Sequence, residues 1–180
     1  MPDDFWPHSV TTAAAAAAIA RRIGIQPNDA FSSGLLHDLG LLVLESHYPK
    51  ESSAVKRYAD TKGVALCVAE LEILETDHGE LGALLATHWT MPESIASAIR
   101  AHHRFELATV EYRWNAAVIH LADNLVSQEA IADLNEGSAL HFDASTVETL
   151  GLFPDALFQI TEETRAEARK AAAVLNASSV

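Results

Sequence analysis

The sequence predicts an all-α protein, a single helical bundle built around buried polar groups. Two observations carry the fold class. Apolar residues recur at helical spacing nearly throughout, with no convincing alternation of period two. Helix-start signals of Ser, Thr, Asp or Pro followed by an acidic residue recur along the chain. A third observation, a scatter of histidines and aspartates on otherwise apolar faces, points to function.

The expected helices span about 5–22, 28–47, 50–62, 64–75, 78–88, 92–103, 111–130, 145–150 and 155–175. The first contains the alanine run 13–18, read as a close-packing face. Pro27, with Asn28 and Asp29 after it, opens the second, which should bend near Gly34 or Gly40. Asp77-His78-Gly79-Glu80 reads as an aspartate-capped start, and Thr90-Met91-Pro92-Glu93 and Ser145-Thr146-Val147-Glu148 as capping boxes. Pro154-Asp155 opens the last helix. The only hairpin-like signal is weak, at Glu136-Gly137-Ser138. With 180 residues, 49% hydrophobic, the chain can bury a core of one domain's size. Residues 1–180 are expected to form one unit, with a core at about 5–130 and a helical tail at about 145–175.

Composition narrows the function. The formal net charge of −13 argues against nucleic-acid partners, which need a basic surface, and disfavours anionic membranes. The acidic start, Met1-Pro2-Asp3-Asp4, is unlike a secretory signal or transit peptide, and the apolar run 12–20 is too short to span a bilayer. A single cysteine, Cys67, excludes an internal disulfide and the multi-thiolate zinc patterns. A cytoplasmic location in a reducing compartment is therefore expected.

The polar groups that need explaining start with His37-Asp38, inside the run Gly34-Leu35-Leu36-His37-Asp38-Leu39-Gly40. A buried charge must be paired or metal-bound. Phe31, Leu35, Asp38 and Leu42 fall on one helical row, and Gly34, His37, Leu41 and Leu44 on the next. Ala116, Ile119, Asp123 and Val126 form another stripe. Ile95, Ala98, Ile99 and His102 share a face, with His103 four after Ile99. His8 begins a face continuing through Thr12, Ala15 and Ile19. With His78 these are seven candidate metal ligands: His8, His37, Asp38, His78, His102, His103 and Asp123. Helical bundles build metal sites from facing helices in this way. Imidazole with carboxylate suits zinc, iron, manganese or nickel better than magnesium, so one or two such divalent ions are expected. Taken singly, each residue has a structural explanation as well. His47, His88, His120 and His141 are read as structural or exposed, Asp77 and Glu80 as caps, and Arg100 and Arg104 as surface residues that are also within reach of a phosphate. His120 is a candidate second-sphere partner of the Asp123 region.

The order of these residues resembles the HD superfamily of metal-dependent phosphohydrolases: a first histidine (His8), an adjacent His-Asp pair (His37-Asp38) and a distant aspartate (Asp123). His78 and His102-His103 are similar to the added ligands of the two-metal HD-GYP branch. The local texture is closer still to the HDOD domain, an HD-related output domain of bacterial signalling. Phe5-Trp6-Pro7-His8-Ser9, the 34–40 run, and the block from Asp77-His78-Gly79-Glu80-Leu81-Gly82 through Trp89 and Met91-Pro92 to His102-His103 carry that likeness. It covers roughly residues 5–130. The resemblance implies an HD-type bundle in which Asp38 bridges two metals and, with His37, is central to catalysis. It implies as ligand a phosphoester or nucleotide attacked by metal-activated water, or else a catalytically silent regulatory module with a signalling protein or small molecule as partner. Two places, one residue and one tripeptide, depart from the HD-GYP pattern. Leu41 stands where those enzymes have lysine, and Arg104-Phe105-Glu106 where they have Gly-Tyr-Pro, which argues against cyclic dinucleotide hydrolysis. HDOD domains usually carry a helical lobe before the first segment, so the chain reads as a fragment or a minimal version.

Overall fold

In the computed structural model, residues 5–134 and 142–177 are described. They form ten α-helices and one 3-10 turn, with no strand among the described residues. The helices are α1 (Phe5–Ile23), α2 (Pro27–Leu36), α3 (Leu39–His47), α4 (Pro49–Lys62), α5 (Leu66–Leu74), α6 (His78–His88), α7 (Glu93–Ala101), α8 (Arg113–Leu134), α9 (Ala144–Thr149) and α10 (Pro154–Ala177); the 3-10 turn is Phe105–Leu107. The all-α bundle expected from periodicity is what the chain forms.

Helix α1 is the centre of the packing, lying against α2, α8 and α10. Its alanine run explains how. Ala13, Ala15, Ala16, Ala18 and Ala20 are buried with Ile19, and their small side chains let neighbouring helices approach closely. The α1–α2 contact is tight enough that a Cβ on Gly34 would lie 2.8 Å from the Ala13 Cα. The main core joins this face to Ala116, Ala117, Val118, Ile119, Leu121, Ala122 and Leu125 of α8 and to Phe105. A smaller core of Ala83, Ala86, Ile95, Ala96 and Ile99 holds α6 against α7.

Several local expectations change. The stretch 28–47 is two helices, broken at His37-Asp38 rather than bent at a glycine, with Asp38 at φ −95°, ψ 10°. That backbone lies in the bridge region, which often holds active-site residues. The break ends the shared row: Phe31 is 40% exposed, and the buried positions after it are Ser33, Gly34, His37, Gly40 and Leu44. Thr90 does not cap α7. It has φ 55°, its hydroxyl donates to the Trp89 carbonyl, and Pro92 occupies the cap position. Ser145 does not cap α9 either; the Asp143 carboxylate accepts from the Ser145 and Thr146 amides. Those two residues, through side-chain bonds as well, hold the Asp143 carboxyl down at about 2. The Asp77 cap is as expected, its carboxylate accepting from Glu80 N at 2.9 Å. Pro27 and Pro154 stand first in α2 and α10. The turn at 136–138 and His141 lie outside the described residues.

Candidate metal centre

Five parts of the bundle deliver the seven side chains to one place. His8 lies at the end of the first turn of α1, and Asp123 on the inner side of α8. His37 and Asp38 form the α2–α3 break, where the end of one helix and the start of the next turn adjacent side chains inward. His78 is the first residue of α6. His102 and His103 occupy the turn just past the end of α7. Gly40 permits the meeting of α3 and α6, since a Cβ there would sit 2.0 Å from the His78 carbonyl oxygen.

The donors fall into two groups. In the first, His8 Nε2 lies 3.2 Å from His37 Nε2 and 3.2 Å from Asp123 Oδ1. His37 Nε2 lies 3.4 Å from Asp38 Oδ2 and 3.7 Å from Asp123 Oδ1. In the second, His103 Nε2 lies 2.8 Å from His78 Nε2. His78 Nε2 and His102 Nε2 are 3.3 and 3.8 Å from Asp38 Oδ1. The two oxygens of Asp38 thus face opposite ways, one toward each group. His8-His37-Asp38 and His78-His102-His103 each present three donor atoms within 4.8 Å of one another. Donors at about 2.0–2.2 Å from one cation stand roughly 3–3.5 Å apart, so the spacing fits two divalent ions.

The outer contacts prepare the imidazoles for that task. His37 Nδ1 donates to the Gly34 carbonyl at 2.8 Å and His102 Nδ1 to the Ile99 carbonyl at 2.7 Å. His78 Nδ1 donates to Glu70 Oε2 at 2.6 Å, and the same oxygen accepts from the His78 amide at 2.9 Å. In the neutral ring a donating Nδ1 leaves Nε2 as a lone-pair donor aimed into the cluster. His102 Nε2 is buried with no hydrogen-bond partner. An orphaned lone pair of this kind is costly unless something occupies the space before it.

The electrostatics point the same way. Burial disfavours the imidazolium of His37, but Asp38 and Asp123 outweigh it and lift its pKa to about 10. Burial likewise opposes the charge on His78, and Asp38 with Glu70 lifts it to about 9. His103 is pushed down to about 4 by burial and by His78, and His102 is pushed down by burial and the three neighbouring imidazoles. Against the cost of burial, Asp38 is held well below the carboxylate range chiefly by His37, and Asp123 by His37 and His8. The two carboxylates favour positive charge beside them, and this raises the proton affinity of His37 and His78. Metal binding would displace protons there.

All seven expected ligands therefore converge. Glu70 was not anticipated, although a signal existed: it lies between Leu66 and Leu74 at steps of four, a carboxylate on an apolar row. His120 does not support Asp123. Its Nδ1 donates to the His102 carbonyl at 2.7 Å, bracing the turn that carries His102 and His103. Arg100 pairs with Glu80 and Glu93, and Arg104 with Asp77. His47 and His88 are exposed. The positions that depart from the HD-GYP pattern have other work: Phe105 is buried in the main core, and Leu41 sits beside Glu70 in a small cavity between α3, α4 and α5.

A helical bundle that gathers histidines and aspartates from five places in this order is of the HD type. The HDOD domain family pattern matches residues 2–105, more than half of the chain, and the chain belongs to that family. It is 31% identical over 110 residues to an uncharacterised protein of Treponema pallidum, a match covering 60% of this chain and 21% of that one. Among solved structures, it resembles an HDOD domain protein of unknown function from Geobacter sulfurreducens at 26% identity and TM-score 0.62, over 97% of this chain and 58% of that one. A proposed phosphohydrolase from Shewanella amazonensis shares the fold at TM-score 0.74 and 24% identity, over 93% of this chain and 63% of that one. The chain thus spans about a fifth of its Treponema relative and about three fifths of these two structures.

Proposed function

We propose that this HDOD domain is a cytoplasmic signalling module that holds two divalent cations, drawn from iron, manganese, zinc and nickel, and hydrolyses a phosphoester or nucleotide. The observation that carries this reading is the placement of Asp38, whose two carboxylate oxygens face two separate histidine groups. His8, His37 and Asp123 would complete the first position, and His78, His102 and His103 the second. Cations held there would supply an activated water and neutralise phosphoryl charge. The chain's own part is to fix the donors before substrate arrives, through the bonds of His37, His102 and His78 to Gly34, Ile99 and Glu70. It also leaves one side accessible: the side chains of His8, Asp38 and Asp123 are 23%, 16% and 18% exposed, whereas His37 and His102 are closed off. Substrate therefore approaches from the side of His8, Asp38 and Asp123. The strongly negative chain favours a small phosphoester over a nucleic acid or an anionic membrane. Among the described residues no helix is long and apolar enough to cross a membrane.

One observation favours a second reading, a regulatory module that keeps the cations without turnover and binds a small ligand or a signalling protein. Leu41 and Arg104-Phe105-Glu106 replace the lysine and the Gly-Tyr-Pro of the two-metal enzymes. Elemental analysis of the purified protein, paired with hydrolysis of an aryl phosphodiester in added manganese or iron, decides between them. Two metals per chain with turnover are expected. Metal without turnover favours the regulatory module, and no metal uptake ends both.

A further inference from the structure

Glu70, which orients His78, is the one charged group among the three that brace the imidazoles, the other two being backbone carbonyls. Its residue is 1% exposed, and both hydrogen bonds that hold its carboxylate come from one partner, the amide and Nδ1 of His78. Burying a carboxylate so completely is unfavourable unless the pairing is good. The helix that carries it has no fully buried large apolar side chain; Leu66, Cys67, Leu71 and Leu74 are half-buried. The buried residues of α5 are Ala69 and Glu70, whereas Val68 and Ile73 are 42% and 43% exposed. Helix α5 packs mainly on α4, which itself buries only Ser52 and Val55. Residues 49–74 therefore form a helical hairpin whose buried polar anchor in the bundle is the candidate metal ligand His78, the other polar link being the exposed Lys56–Glu45 ion pair to α3.

We propose that Glu70 is a positioning residue that couples occupancy of the second cation position to the docking of the α4–α5 hairpin. The proposal rests on the two-cation reading of the centre. Glu70 directs the Nε2 of His78 toward Asp38 and His103. With a cation held by His78, His102 and His103 the His78 ring would be fixed, and a fixed ring would strengthen the anchor of the hairpin. Coupling of this kind is reciprocal, so whatever loosens the hairpin weakens the second position by the same factor.

The test uses the full chain with manganese alone as probe, comparing the wild type, Glu70→Gln and Glu70→Ala. Manganese titration by equilibrium dialysis and electron paramagnetic resonance gives number, affinity and spin coupling. Hydrogen exchange of residues 49–74 gives docking. The wild type should bind two coupled ions, and binding should slow exchange in the hairpin. Glu70→Ala should weaken the second ion about 10–100-fold, the range for outer-sphere partners. It should also leave an uncoupled first ion, and hairpin exchange that metal no longer slows. Glu70→Gln, which keeps an acceptor without the charge, should fall between. Two ions bound with wild-type affinity by Glu70→Ala would overturn the proposal while leaving the two-cation reading intact. So would a wild-type hairpin indifferent to metal. A wild type that takes up no manganese would end that reading and with it the coupling.

Discussion

The two halves of the centre share Asp38 and differ in almost everything else. The first, on α1, α8 and the α2–α3 break, offers two imidazoles and two carboxylates on the accessible side of the bundle. The second, at the start of α6 and the end of α7, offers three imidazoles and one carboxylate oxygen, with His78 and His102 almost wholly buried. In the first half carboxylates dominate, and Asp38 and Asp123 raise the pKa of His37 against the cost of burial. In the second, burial and mutual repulsion keep His102 and His103 neutral, and only the pKa of His78, between Asp38 and Glu70, is raised. Ligand chemistry follows from this. The oxygen-richer half would favour manganese or iron, and the imidazole-rich half, which would accept the same ions, would favour zinc or nickel. Two adjacent sites in one small bundle need not be equivalent, because each takes its charge and its dryness from different helices.

The harshest way to break the comparison is to remove what the halves share. Asp38→Ala should cost both metals and any hydrolysis, while far-UV circular dichroism stays close to that of the parent. His8→Ala and His103→Ala should each cost one metal and keep the other. Elemental analysis of the three variants checks this. Full occupancy in Asp38→Ala would mean that the carboxylate does not join the halves.

A gentler variant separates the halves without touching a ligand. Gly40 lies where α3 meets α6, against the His78 carbonyl. Gly40→Ala must push these backbones apart, and overpacking of this kind costs about 1–3 kcal/mol. The displacement moves His78 away from Asp38 but leaves α1 and α8 in place. The second metal should therefore be lost and the first retained, with a lowered midpoint of thermal unfolding. Equal weakening of both positions would show that the halves move as one.

Much of this arrangement was legible in the sequence, because a helix states its faces every three or four residues. Ile95, Ala98, Ile99 and His102, and Ala116, Ile119 and Val126, are buried as their spacing requires, with Asp123 half-buried on the last stripe. What was not legible depends on contacts between elements. The break at His37-Asp38 has no proline, and the glycines beside it mark close approaches to α1 and α6, not the bend. Thr90 fits a capping pattern, yet the chain turns through a left-handed conformation there and starts α7 three residues later. Ser145 is pre-empted by Asp143, two residues upstream. Glu70 resembles its helical neighbour Glu72, which is exposed. Only the arrival of the first turn of α6 makes Glu70 a buried partner of a histidine.

The smallest expected effect tests how finely the second half is held. Arg104 follows His103 directly and reaches across to Asp77, which directly precedes His78, at 3.1 Å. The ion pair therefore straps together the two segments whose imidazoles lie closest in that half. Its strength is limited, because the Arg104 side chain is 51% exposed and such pairs contribute at most about 1 kcal/mol. Asp77 does more, since its carboxylate also caps α6, and losing a cap costs about 1 kcal/mol by itself. Asp77→Ala should then weaken the second metal more than Arg104→Ala does. The Arg104 variant should show a loss of no more than several-fold that fades at high salt. Neither should change the first metal. A salt-independent loss in Arg104→Ala would mean that the arginine acts through packing around the turn rather than through its charge.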